Sequence, residues 1–331
     1  MSINNPHCRI KRIGVFTSGG DAPGMNAAIR SVVRTALYHD LKVTGIIQGY
    51  QGLLQKKFRE MDLGSVANII QRGGTILKAG RYLDFHQPTV RAQAAQILKD
   101  AEIDALVCIG GDGTFTGAHL LYQEHHMPVL GVCGTIDNDI FGTEYTVGFD
   151  TAINTAMEAI DRIRDTAASH DRLFIVEVMG RNSGHIAVEV GLAGGAEEIF
   201  ISEQPITVDQ AIQHIKGGIQ RGKMSSILVT AEGQKAGRAY DLAESIRKKE
   251  GFDAHVCILG HIQRGGVPTA RDRNMASRMG AAAVIGLIQG KTDRFVALKN
   301  DQLEYVPLAQ GFSQKRAVDK EAIHLAQILS R

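Results

Sequence analysis

Short apolar, β-branched runs alternate along this chain with longer amphipathic stretches of helical period. The runs Arg12–Thr17, Val43–Ile47, Ala105–Ile109, Val129–Val132, Leu173–Val178, Ile227–Thr230 and His255–Leu259 predict strands. The stretches Ala27–Tyr38, Val90–Lys99, Ala152–Thr166, Val208–Arg221, Asp241–Lys249 and Arg273–Gln289 predict helices. Such alternation predicts an α/β fold, a parallel sheet with helices on both faces. Ligands bind beyond the carboxyl ends of strands in sheets of this kind. Five polar, glycine-containing segments follow predicted strands: Ser18–Asn26, Gly110–Thr114, Gly134–Asp139, Met179–Gly184 and Gly260–Gly266. Site residues are therefore expected from distant parts of the chain. No Pro/Ser linker marks a domain boundary; a break is expected near Tyr145–Phe149 and a return near His261.

Composition narrows the partners. The 331 residues, 44% hydrophobic, suffice for about two domains. The absence of Trp and the few aromatics argue against a stacking platform for single strands, and the dispersed charge, net +2, offers no nucleic-acid patch. No apolar run approaches the roughly 20 residues that span a bilayer, so no membrane partner is expected. Cys8, Cys108, Cys133 and Cys257 form no CxxC pair, and the last three lie in apolar runs as small buried thiols. They fit a reducing compartment, and the polar, basic first dozen residues do not read as a signal peptide, so a cytoplasmic location is expected.

Three loops carry candidate chemistry. Gly110–Thr114 (GGDGT) offers bare amides at a strand-to-helix turn, fit to cradle phosphate, and Asp112 could hold Mg²⁺ through water. A tight turn with a capping Asp reads the same way, and GGDGT alone does not choose a substrate: NAD and diacylglycerol kinases resemble it here. Gly134–Asp139 (GTIDND) sets Asp137 and Asp139 two residues apart, on one side of an extended chain, where one carboxylate serves as base and the other lies near a cation. For the segment in isolation an Asp/Asn-rich turn would be the favoured reading. In Ser18–Asn26, Gly20 permits close phosphate approach, but GxGxxG spacing is absent and no dinucleotide is indicated. Gly217–Lys223 has the GxxxxGK spacing of a P-loop, yet Met224 stands where Ser or Thr is needed and the segment ends a helix before a strand. It reads as a helix C-terminal glycine followed by a solvent-facing lysine.

In order, Thr17–Arg30 (TSGGDAPGMNAAIR), Ile109–Thr114 (IGGDGT), Gly134–Asp139, Val176–Gly184 (VEVMGRNSG) and Leu259–Gly266 (LGHIQRGG) closely resemble the bacterial-type ATP-dependent 6-phosphofructokinases over nearly the whole chain. The resemblance implies two Rossmann-like three-layer α/β domains with mostly parallel sheets and an active site in the cleft between them. Residues 1–147 with 262–313 would bind ATP, and 148–261 with 314–331 would bind fructose 6-phosphate. It implies a homotetramer whose sites borrow residues from a neighbouring subunit, and a place in glycolysis.

Carried over residue by residue, it assigns Gly20, Arg81, Tyr82, Gly111, Asp112, Gly113 and Thr114 to MgATP, with Asp112 nearest the metal. Asp137 would take the proton of the sugar 1-hydroxyl, with Thr135, Arg181 and Arg81 at the transferring phosphoryl. Thr135, Ile136, Asp137, Met179, Gly180, Arg181, Glu232, His261, Ile262, Gln263 and Arg264 would contact fructose 6-phosphate, and Arg172 would reach its 6-phosphate from the adjoining subunit. Arg30, Arg34, Arg164, Gly195, Glu197, Arg221 and Lys223 match an effector site for ADP or another phosphate compound.

Five positions refine or depart from the pattern. Pyrophosphate-dependent relatives typically carry Asp at Gly113 and Lys at Gly134; glycine at both points to ATP. His255 replaces a common Arg, so affinity for the sugar phosphate is expected to be weaker or to rise at lower pH. Leu63 and Asn68 replace a common Arg and Asp, predicting weakened, altered or absent ADP activation. Three alternatives stand beside an ATP-dependent 6-phosphofructokinase: a pyrophosphate-dependent enzyme, a kinase for another sugar phosphate, and a non-catalytic paralogue that senses nucleotide or sugar phosphate.

Overall fold

Most of the apolar runs become strands because they are covered on both faces, as parallel sheets require; the run that forms the edge strand at Ala254–Ile258 is only half-buried. A computed structural model describes residues 10–170, 173–223 and 225–330. In chain order its strands are β1 (Arg12–Thr17), β2 (Lys42–Ile46), β3 (Phe58–Met61), β4 (Ala105–Gly110), β5 (Val129–Cys133), β6 (Leu173–Val178), β7 (Glu198–Phe200), β8 (Ser226–Ala231), β9 (Ala254–Ile258), β10 (Arg294–Lys299) and β11 (Gln302–Pro307). The helices are α1 (Met25–Tyr38), α2 (Gly49–Leu54), α3 (Pro88–Asp100), α4 (Asp112–His125), α5 (Phe149–His170), α6 (His185–Ala193), α7 (Val208–Gln220), α8 (Arg238–Glu250), α9 (Ala270–Ile288), α10 (Leu308–Ser313) and α11 (Lys320–Leu329). Every predicted strand and helix forms, with ends moved by a few residues.

The chain divides into two compact units. Unit 1 comprises residues 1–135, 140–150 and 264–316; unit 2 comprises 136–139, 151–263 and 317–331. The expected crossings at 147, 261 and 313 thus lie at 150, 263 and 316, and the short segment Ile136–Asp139 goes with unit 2.

Unit 1 holds a seven-stranded sheet in the order β11-β10-β5-β4-β1-β2-β3. Its five inner strands are parallel, and β3 and β11 pair antiparallel at the edges. Strand order reverses between β1 and β4, a switch point where connections leave to opposite faces and a crevice opens. Phe16, Phe115 and Phe295 are fully buried beside Tyr50 in its core. Each such side chain contributes about 1.5–3 kcal/mol of apolar burial. Unit 2 holds a parallel sheet in the order β7-β8-β6-β9, packed through Ile175, Phe200, Ile215, Leu228 and Ile246.

Four of the unpredicted elements have a plain physical reason. β3 and β11 are largely exposed edge strands, and β7 has three residues. α6 (HIAVEVGLA) is apolar nearly all round and shows no helical period. Among the described residues no helix is long and apolar enough to cross a membrane.

Candidate active site

In unit 1 the loops after β1 and β4 lie side by side at the switch point. Ser18 N donates to Ile109 O at 3.0 Å, extending the β1–β4 pairing by one residue. Gly19 N and Ser18 Oγ both donate to Gly80 O, at 3.2 and 3.3 Å, and Thr17 Oγ1 to Lys78 O at 2.8 Å. These bonds hold the segment that carries Arg81 and Tyr82 over the first loop. Gly110 has no room for a side chain: a Cβ there would lie 2.3 Å from Thr114 Oγ1 and 2.6 Å from Ser18 O.

The Gly110–Thr114 segment is less of a loop than its composition suggests. Gly110 ends β4, Gly111 caps α4, and Asp112, Gly113 and Thr114 form the first helical turn. Their amides therefore point out of a helix N-terminus, the arrangement that favours anions. Tyr50 Oη donates to Thr114 O at 2.6 Å, fixing that turn from behind. Burial holds the Tyr50 phenol protonated, well above its ordinary pKa. Thr114 Oγ1 is buried with no hydrogen-bond partner among the described residues. In front of Gly113 the space is open: a Cβ there would meet no atom within 4 Å. Asp112 Oδ2 pairs with Lys315 Nζ, a residue that no spacing in the sequence singled out.

Gly134 packs against the same floor. Its amide donates to Gly110 O at 3.0 Å, and a Cβ would lie 3.0 Å from Met25 Cε and 3.1 Å from Ile109 Cγ2. Thr135 faces the start of α4, its Cβ 3.7 Å from where a Cβ of Gly111 would stand, and its carbonyl accepts from Thr146 Oγ1 at 2.7 Å. The neighbouring Cys133 thiol is pushed well up by burial and, secondarily, by the Asp112 charge, so it stays neutral.

Unit 2 carries the second set. Ser183 Oγ donates to Asp137 O at 2.7 Å, tying Ile136–Asp139 to the loop after β6. The expectation that Asp137 and Asp139 share one side of an extended strand is corrected here. Asn138 between them is left-handed, φ 49°, and Ile136–Asp137 form a turn. Asparagine tolerates that conformation better than most residues. The β6 loop is just as sharply shaped: Gly180 has φ 134° and Arg181 φ 53°. A Cβ on Gly180 would lie 2.3 Å from Ser183 O, so only glycine serves there.

Met179 N donates to Gln263 Oε1 at 2.7 Å, and Gln263 Nε2 donates to Ala152 O at 3.2 Å. Gln263 is wholly buried, with its amide engaged on backbone, whereas its neighbours His261 and Ile262 are exposed. Glu232 follows β8, its amide bonded to Val178 O at 2.9 Å. Behind them Glu177 is buried; its Oε1 accepts from Gly237 N and its Oε2 from Ala239 N, both at 2.8 Å. His255 lies half-buried on β9, its ring tilted against Phe174 with centroids 5.2 Å apart. Arg172 lies outside the described residues. Arg264 belongs to unit 1, and its Nη1 stands 2.9 Å from where a Cβ of Gly20 would be.

The candidate effector residues divide between the units. Arg30 and Arg34 lie one turn apart on α1 of unit 1, half-buried and exposed. In unit 2 Arg164 Nη2 donates to the carbonyls of Gly194 and Gly195, and Gly195 is left-handed at φ 62°. Lys223 pairs with buried Glu197, which also accepts from Ile227 N. Lys223 thus does not simply face solvent after the helix end: a buried carboxylate at the base of β8 draws it in. Arg221 caps α7 and Gly222 is left-handed at φ 87°, a helix terminus as expected and not a P-loop. Cys108 and Cys133 are buried, Cys257 is only half-buried on the edge strand β9, and Cys8 lies outside the described residues.

Residues 12–287 match the family model for phosphofructokinase. The sequence is 52% identical over 321 residues to "ATP-dependent 6-phosphofructokinase 1" of Thermus thermophilus, covering 97% of this chain and 100% of that one. It is 51% identical, with the same coverage, to the "ATP-dependent 6-phosphofructokinase" of Clostridioides difficile. Among solved structures, phosphofructokinase from Saccharomyces cerevisiae superposes with a TM-score of 0.85 at 34% identity, over 92% of this chain and 45% of that longer one.

Proposed function

Because this chain belongs to the phosphofructokinase family and transfers the γ-phosphoryl of ATP to the 1-hydroxyl of fructose 6-phosphate in glycolysis, we propose that its two units divide that reaction. The loops after β1 and β4 in unit 1 receive the triphosphate. Backbone amides of the Gly20 loop and the first turn of α4, through Gly111, Gly113 and Thr114, meet its oxygens, while Arg81 and Tyr82 lie on the segment pinned above. The open front of Gly113 is the observation that carries ATP as donor, with pyrophosphate the less supported.

Asp112 fits a divalent cation: its carboxylate already accepts a cationic group, and no cage is needed. Magnesium is usually held by one or two carboxylates, phosphate oxygens and water, so a single aspartate at this place suffices for it. When bound, it would neutralise charge on the phosphates.

In unit 2, Asp137 accepts the proton of the sugar 1-hydroxyl as that oxygen bonds to Pγ. The bond from Pγ to the bridging oxygen breaks, and ADP and fructose 1,6-bisphosphate are released. Thr135, Arg81 and Arg181 stabilise the charge spread over the moving phosphoryl. The Ser183 bond to the Asp137 carbonyl fixes the base. Ile136, Met179, Gly180, Glu232, His261, Ile262 and Arg264 hold the sugar phosphate, and buried Gln263 positions Met179. Arg172 and His255 approach from a second copy, within a cytoplasmic homotetramer.

The test is Asp137→Asn, assayed by coupled turnover with ATP and, in parallel, pyrophosphate. General-base loss should lower kcat by about 10²–10⁴-fold. Undiminished turnover of Asp137→Asn would falsify the assignment.

A further inference from the structure

Lys315 stands outside every motif, 203 residues from the carboxylate it touches. Its backbone is pinned in unit 1 by an antiparallel bridge to Ile140, and its ammonium pairs with Asp112 Oδ2 at the start of α4. The Lys315 side chain is 60% exposed and the Asp112 side chain 29%. Lysine is a compact point charge on a flexible stem, unlike the rigid fork of arginine, so it can leave a carboxylate for water at little cost.

A carboxylate facing a triphosphate repels it unless a cation lies between them. Lys315 and a divalent ion can each be that cation, and both claim the same carboxylate. We propose that Lys315 is a positioning residue that stands in for the metal at Asp112 and is exchanged for it when the metal-bound nucleotide arrives. The lysine keeps Asp112 aimed and its charge cancelled before the exchange; afterwards its ammonium moves out to solvent. This rests on Asp112 being the carboxylate on the metal side.

The experiment is calorimetric titration of a non-hydrolysable ATP analogue, once with Mg²⁺ and once with chelator, into the intact wild-type enzyme and its variants. The quantity read is the ratio of the two affinities, which a uniform loss of binding leaves unchanged. Lys315→Met should raise that ratio about fivefold, because the Asp112 charge then repels metal-free nucleotide without the ammonium beside it and the metal no longer has a lysine to displace. Lys315→Arg should return it toward wild type. A ratio in Lys315→Met equal to or below wild type overturns the exchange. Asp112→Asn should lower the ratio. If it does not, the metal-side reading of Asp112 fails and the exchange falls with it, an outcome distinct from failure of Lys315→Met alone.

Discussion

At the scale of single residues, glycines define where the phosphates can go. Gly113 leaves open space at the N-terminus of α4, so Gly113→Asp should fold normally yet set a carboxylate against the nucleotide. Like-charge juxtaposition costs several kcal/mol, which predicts a loss of about a hundredfold or more in kcat/KM for ATP. Steady-state kinetics with ATP decide it; a wild-type value would remove the steric and charge argument. Gly20 differs, because a Cβ there would press on Arg264 Nη1, the free end of a flexible side chain. Gly20→Ala should therefore raise KM for ATP and for fructose 6-phosphate together while stability, read as a urea midpoint, changes little. Single-residue chemistry of this kind was legible in the sequence wherever a motif carried it. Lys315 was not, because only the folded chain brings it to Asp112.

At the scale of elements, two carboxylate contacts tie helices in place, one in each unit. Glu177 on β6 accepts the amides of Gly237 and Ala239 at the start of α8. Glu177→Gln would replace one acceptor with a donor facing an amide, a loss of about 2–3 kcal/mol. A fall of several degrees in Tm in a thermal scan is the expected result, and an unchanged Tm would mean the carboxylate does not clamp α8. On the other unit, Arg91 of α3 grips Glu124 of α4 at 2.6 and 2.5 Å. Hydrogen bonds from Arg91 hold the Glu124 carboxyl below its ordinary 4.5. Glu124 thus ionises more readily folded than unfolded. The pair adds stability above about pH 4.5, an increment that fades as pH falls through the lower folded value. Urea midpoints measured from pH 7 down to 3 should drop more steeply in the native protein than in Arg91→Met. The runs of β1, β4, β5, β6 and β8 were readable as nearly continuous apolar sequence, whereas β10, just as deeply buried, was not predicted. The edge strands β3 and β11 were not, since their alternate residues face water and their partners supply the order. The turn at Asn138 was open to an isolated reading of the Asp-Asn-Asp run, and only the demand that both carboxylates serve one site favoured an extended segment.

For the whole molecule, regulation is the open prediction. Arg164 and Lys223 are already engaged by carbonyls and by Glu197, and exposed Leu63 offers no charge to a diphosphate. Saturating ADP should shift the half-saturating fructose 6-phosphate concentration by less than the roughly fivefold at the low end of ordinary allosteric coupling. A larger shift in steady-state titrations would reject this. Light scattering should give the mass of four 35.8 kDa chains. The discontinuity of the units has a further consequence, felt during synthesis. In the finished sheet β5 pairs with β10, which begins only at Arg294, after most of unit 2 has been translated. On the ribosome the outer edge of β5, fully apolar, stays without its neighbour until the chain has been made past Arg294. A bare strand edge of that kind invites pairing with other nascent chains. Transcripts that stop before Arg294 should therefore yield insoluble product, so the biogenesis of this enzyme hinges on a strand made about 160 residues after its partner.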